Sequence, residues 1–217
     1  MTVPSRCRLF NKISPAAVLT GGGLLIIASG RLAHAVVVAG ALAWVYGLTS
    51  LVIYTAAKIF PRHGRTTLIS FLASFMAGCY LFILWLLSPL CALESFFAVS
   101  LIPVFFMASG VPGRFDARSG ALNSGALDSA ADSFFSSFCE ALSLGVLLMA
   151  LALIREPLGF LSLSLPGGAY GSVLLFSFNA ESFLPIQLIA SSGGALLLLG
   201  YFWALYRFMN KGQENAR

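Results

Sequence analysis

The residues able to do chemistry in this chain are few and sit where charge is costly. Glu140 opens an apolar run as Cys139-Glu140-Ala141-Leu142-Ser143-Leu144-Gly145, and the pair Arg155-Glu156 closes it in Ile154-Arg155-Glu156-Pro157-Leu158-Gly159. Ionisable groups in or at the ends of membrane spans often line ion paths or mark helix ends. Two plainer readings stand beside that one. Arg155 would sit near the negative pole of a helix stopped by Pro157, and Glu140 near the positive pole at its start. His34, just inside another apolar run, reads as packed or interfacial rather than as a proton relay. Cys7, Cys79, Cys91 and Cys139 show no CxxC pairing and no zinc-ligand spacing, and the cysteines inside spans read as small packing residues. There is no Gly-x-Ser-x-Gly elbow, Walker motif or dinucleotide fingerprint, so hydrolytic and group-transfer chemistry lacks a self-sufficient site.

The elements that must position these residues are membrane spans. Of 217 residues, 59% are hydrophobic and 10% charged, with a mean hydropathy of +0.91, too little polar surface to solvate a globule. Continuous apolar runs at 32–60, 67–87, 134–154 and 184–208 are long enough to cross a bilayer. They do not alternate with a period of two, which excludes a barrel and leaves helices. Two further stretches, 15–30 and 96–110, look short and close on the same triplet, Ala28-Ser29-Gly30 and Ala108-Ser109-Gly110. At about 1.5 Å per residue they reach roughly 22 to 24 Å, against about 30 Å of hydrocarbon. The expected fold is therefore an all-α membrane protein of six transmembrane elements. It forms a single domain of two inverted three-helix repeats, at approximately 13–90 and 94–209, whose first and fourth elements are short half-helices.

If all six elements cross, Arg6, Arg8, Lys12, Lys58, Arg62, Arg65, Arg114, Arg118, Arg207, Lys211 and Arg217 share one side, and only Arg31 and Arg155 fall on the other. The positive-inside rule then places both termini in the cytoplasm of a bacterial inner membrane. Topology accounts for the basic charge (pI near 9.3) without nucleic acid, because the basic residues are scattered over loops. A cleaved signal peptide ending at Ala33-His34-Ala35 is the weaker alternative, since it would remove an element whose counterpart is kept.

Between the spans, 61–65 reads as a tight basic turn and 88–94 as a short outer loop. The stretch 111–133, with its tandem Ser-Gly-Ala-Leu, reads as a flexible cytoplasmic loop. The apolar run Val173-Leu174-Leu175-Phe176 within 159–183 belongs at the bilayer interface or against a neighbouring subunit. In the last element, Ser191-Ser192-Gly193-Gly194-Ala195 reads as a close-packing patch in the middle of one helix.

The run 147–159 with Glu140 to Gly145 before it resembles the fifth helix of the small six-helix subunits of Rnf and Nqr redox pumps. Those usually read Leu-Asp-Gly-Leu-Gly-Met-Gly, an apolar run, then Ile-Arg-Glu and a nearby Gly. Glu140 takes the Asp position, and Arg155, Glu156 and Gly159 match. Ile102-Pro103, Ser109, Gly113-Arg114 and Asp116-Ala117 are similar to the family's Ile-Pro, Asn-Cys, Gly-Arg and Glu-Ala. Ser14-Pro15, Gly22 and Ala28 are similar to its opening stretch. The resemblance implies a membrane subunit of an electron-transport complex moving Na+ or H+. It would act beside an inverted-topology paralogue and partner subunits that carry the flavins, with Glu140, Arg155, Glu156, Gly30 and Gly110 as candidate coupling residues. The topology suits the Rnf E or Nqr D type. In that family each half-helix gives one cysteine to a [2Fe-2S] cluster. The positions carried over here are Leu24, which has no donor, and Ser109, a hard hydroxyl where iron and sulfide prefer thiolate. A stand-alone secondary transporter is the alternative reading, since inverted repeats with broken helices also move small solutes. A structural membrane subunit without a redox role is another.

Overall fold

A computed structural model describes residues 23–24, 26–55, 64–109, 126–167, 172–177 and 187–214. The long elements are α1 (Leu32–Thr55), α2 (Arg65–Leu87), α3 (Pro89–Ala108) and α4 (Ala126–Phe160). They are followed by β1 (Ser162–Pro166), β2 (Ser172–Ser177), the short α5 (Gln187–Ala190) and α6 (Ser192–Glu214). Among the described residues four helices are long and apolar enough to cross a membrane, at Leu32–Ile53, Thr66–Leu87, Pro89–Ala108 and Ser137–Phe160. The protein is thus mostly helical, with, among the described residues, one small antiparallel β-hairpin that the all-α expectation lacked.

The centre of the bundle is α1, which packs against α2, α3, α4 and β1. It is apolar on every side, as a helix surrounded by other helices must be. More than half of its span is buried, against less than a fifth for α2. Tyr46 and Phe106 meet edge to face with centroids 4.9 Å apart, locking α1 to α3, and Val38, Leu42, Val45, Ile53, Leu148 and Leu151 fill the space around them. The outward face of α2 carries Phe71, Phe75, Phe82 and Trp85, all exposed, as a lipid-facing helix requires.

Three boundaries differ from expectation. The fourth element is not short: α3 begins at Pro89 and runs 20 residues, roughly 30 Å. The expected outer loop at 88–94 shrinks to the single extended residue Ser88, with Pro89 in the first turn, where its missing N–H costs nothing. The loop expected at 111–133 gives way to helix at Ala126, and residues 110–125 lie outside the described residues. The last element is not one helix: it breaks at Ser191 between α5 and α6. Of the first element, residues 23–24 and 26–28 are helical and Ser29 and Gly30 form a turn, while its earlier residues fall outside the description.

The apolar run 173–176 forms most of β2, paired with β1 from Ser162↔Ser177 to Pro166↔Ser172 with a bulge at Leu163/Ser164. Leu161, with φ of 52°, makes the sharp exit from α4 into β1. Cys79 and Cys91 are outside any disulfide, but Cys139 is disulfide-bonded, against the expectation of a lone packing residue.

Candidate functional site

Arg155 and Glu156 are not at a helix end. The helix α4 continues through Pro157 to Phe160, and both charges are buried within it, Arg155 at 5% and Glu156 at 1% exposure. Pro157 removes one backbone hydrogen bond without stopping the helix. A guanidinium and a carboxylate so deep in an apolar bundle need partners. The Arg155 guanidinium donates to five acceptors: the carbonyls of Ile26 (3.0 Å), Ile189 (3.0 Å), Ala190 (2.8 Å) and Ser191 (3.1 Å), and Ser29 Oγ (2.9 Å).

These acceptors come from two helix ends. The last carbonyls of a helix lack intrahelical donors and carry partial negative charge. Ile26 and Ser29 close the first element; Ile189, Ala190 and Ser191 close α5. Glu156 does the opposite work one residue on, where its Oε2 accepts the N–H of Leu32, the first residue of α1, at 2.7 Å. One dipeptide therefore holds both sides of the turn at 29–31 and the end of α5.

The serines at these ends behave alike. Ser29 Oγ donates to Ile26 O (3.4 Å), Ser109 Oγ to Phe106 O (2.7 Å) and Ser191 Oγ to Leu188 O (2.7 Å), each three residues back. Ser191 Oγ also accepts the N–H of Gly194 at 3.2 Å, capping the start of α6. Glycines allow the close approach this needs. A Cβ on Gly159 would lie 3.1 Å from Ala190, and one on Gly194 only 2.1 Å from the Leu188 carbonyl oxygen. The helix thus breaks at Ser191, so the small-residue patch opens α6 and does not lie in the middle of one helix, while its Gly194 still allows close approach to Leu188.

Glu140 lies elsewhere. Because α4 begins at Ala126, Glu140 is well inside the helix, half-buried, and not at its N-terminus. Fifteen residues separate it from Arg155, roughly 22 Å along the axis. Its surroundings hold buried Tyr46, whose hydroxyl also faces Ser109, and Ser143, whose Oγ donates to the Glu140 carbonyl at 2.8 Å. Thr49, one turn beyond Tyr46 on α1, is buried with its hydroxyl unpartnered among the described residues. Neither Tyr46 nor Thr49 announced itself in sequence, being single polar groups in an apolar run.

Of the other candidates, Gly30 sits in the turn before α1, and a Cβ there would meet nothing nearer than Ile27 O at 3.9 Å. Gly110 lies outside the described residues. His34 joins Glu94, Nε2 to Oε2 at 2.6 Å, tying the start of α1 to the start of α3. Leu24 is buried in the core, and a Cβ on neighbouring Gly23 would lie 4.0 Å from the Phe105 ring, so the first element passes beside the last turns of α3. That juxtaposition offers no ligand set for a [2Fe-2S] cluster. Leu24 has no donor atom, the Ser109 hydroxyl is already bonded to a carbonyl, and Cys79 and Cys91 belong to α2 and the outset of α3. No group of three metal-ligating side chains occurs among the described residues.

Neither the models of known protein families nor the curated proteins include a match to this chain.

Proposed function

We propose that this chain is a membrane subunit of an Rnf/Nqr-type complex, in which electron transfer drives Na+ or H+ across a bacterial inner membrane. The observation that carries the reading is the burial of Arg155 and Glu156 at the junction of three helix ends. The resemblance runs through Ile154-Arg155-Glu156 and Gly159, and in the fold these residues organise the junction while Gly159 lets α5 approach. Helices interrupted inside a span are a feature of ion-coupled membrane proteins.

In this reading the chain shapes a passage and moves no electrons by its own ligands, since thiolates are absent from the two positions where the family places its cluster. Flavins and any iron-sulfur centre belong to partner subunits, including an inverted-topology paralogue. Extraction in mild detergent tests the proposal. The expected result is co-isolation with flavin-bearing membrane partners and loss of electron-driven ion movement when this chain is deleted. A monodisperse lone chain that carries a solute into liposomes would overturn it in favour of a secondary transporter.

A further inference from the structure

Glu156 is the most deeply buried carboxylate among the described residues, and only half of it is used. Oε2 holds the Leu32 N–H, whereas Oε1 is buried with no hydrogen-bond partner among the described residues. A buried polar atom left unpaired in a native fold calls for an explanation, such as a ligand, a proton or an ordered water. We propose that Glu156 is a proton-exchange site, with Oε1 as the atom that takes the proton, and that metal cations are kept out of it.

The geometry separates the two kinds of cation. A sodium ion in a broken-helix site is held by several oxygens, chiefly carbonyls at the helix ends. Here the carbonyls of Ile26, Ile189, Ala190 and Ser191 and the hydroxyl of Ser29 are all taken by the Arg155 guanidinium. That side chain is a tethered cation in the place a mobile one would need, and it repels a second. One free carboxylate oxygen is too few for a metal ion and enough for a proton.

The surroundings carry little other charge. On α4 the neighbour is Arg155, engaged with the helix ends. On α1, Arg31 is exposed just before the helix, and His34 faces Glu94 of α3. The strand β1, which packs on both α1 and α4, and the short α5 hold no titratable side chain, though Ser164 of β1 brings to this end of the bundle another buried hydroxyl with no partner among the described residues. In the exchange, the carboxylate and a hydronium ion give a carboxylic acid and water. An O–H bond forms at Oε1, and release reverses the step. The neutral acid keeps its bond from Leu32 through Oε2 while removing a buried charge.

In naming H+ as the ion handled here, the inference rests on the function proposed above, but its test needs no partner subunit, so the two can fail separately. Membranes containing the full chain are treated with dicyclohexylcarbodiimide, an apolar reagent for protonated carboxyls, and adducts are located by mass spectrometry. Label on Glu156 is expected, falling as pH is raised and equal in sodium chloride and choline chloride. Glu156→Gln abolishes that adduct, and Glu156→Asp retains one at the same position. Protection by sodium but not choline would replace the proton with a metal ion. Absence of label on Glu156 at every pH, while other carboxyls of the same chain react, would overturn the site altogether.

Discussion

At the scale of single residues, the arrangement turns on two adjacent side chains of opposite charge that each satisfy a helix end of the opposite polarity. Arg155 suits its task because a planar guanidinium presents donors in a fixed fork, reaching three carbonyls on one side and a carbonyl and a hydroxyl on the other. An ammonium is a compact point charge and cannot span both sides. Arg155→Ala should therefore cost about 3 kcal/mol of stability, since it leaves buried carbonyls without donors. Arg155→Lys should recover only part of that loss, as read by denaturant titration in mixed micelles. Equal stability of Arg155→Lys and the parent would show that charge alone, not the fork, holds the junction. The His34–Glu94 pair is a weaker case, because its side chains are 22% and 44% exposed. A double-mutant cycle with His34→Ala and Glu94→Ala should give a coupling of about 0.5 kcal/mol, and a coupling several times larger would mean that the pair is shielded from solvent by a partner.

At the scale of elements, a helix end inside an apolar bundle must be built from residues that supply the missing hydrogen bonds, and the same solution recurs at Ser29, Ser109 and Ser191. The glycines beside these serines are not equivalent. Gly194→Val would drive a side chain into the Leu188 carbonyl and should prevent the α5–α6 break from forming, so that the protein fails to accumulate in membranes. Gly30→Ala meets only open space and ordinary contact, and should stay within about 0.5 kcal/mol of the parent in the same micelle assay. The sequence made α1, α2 and the apolar part of α4 legible because their runs are continuous and bounded by charge. It misplaced the start of α3 because Pro89 resembles a helix stop, although proline fits the first helical turn equally well. The break at Ser191 stayed hidden for a similar reason: Ser-Ser-Gly-Gly is the composition both of a close-packing face and of a helix interruption. Arg155 and Glu156 stood out as charges in apolar sequence, but their partners lie either beyond the hairpin, at Ile189, Ala190 and Ser191, or more than a hundred residues away, at Ile26, Ser29 and Leu32, and no local pattern points to them.

At the scale of the whole molecule, two contacts and the chain's connectivity fix which ends of the elements lie together. His34–Glu94 brings the starts of α1 and α3 to one end, and Glu156–Leu32 brings the last turns of α4 there too. The β-hairpin follows α4 directly and must share that end, with Val173, Leu174, Leu175 and Phe176 of β2 all exposed. A strand this apolar is suited to the edge of a bilayer or to a partner surface, the two settings that sequence alone also left open. The start of α2 lies at the opposite end, because α2 and α3 form a hairpin through Ser88. In sequence, Arg62, Arg114 and Arg118 fall between the elements whose ends meet there, so the positive-inside rule predicts that this end faces the cytoplasm and the hairpin the outside. Single cysteines test this with a membrane-impermeant maleimide, using the parent chain to measure background from its native thiols. Ser172→Cys, in the first residue of β2, should label in intact cells, whereas Thr66→Cys, exposed in the first turn of α2, should label only after permeabilisation. The reverse pattern would turn the whole bundle over and with it the side from which Glu156 meets protons. Labelling of both from one side would be incompatible with α2, α3 and α4 all crossing the bilayer.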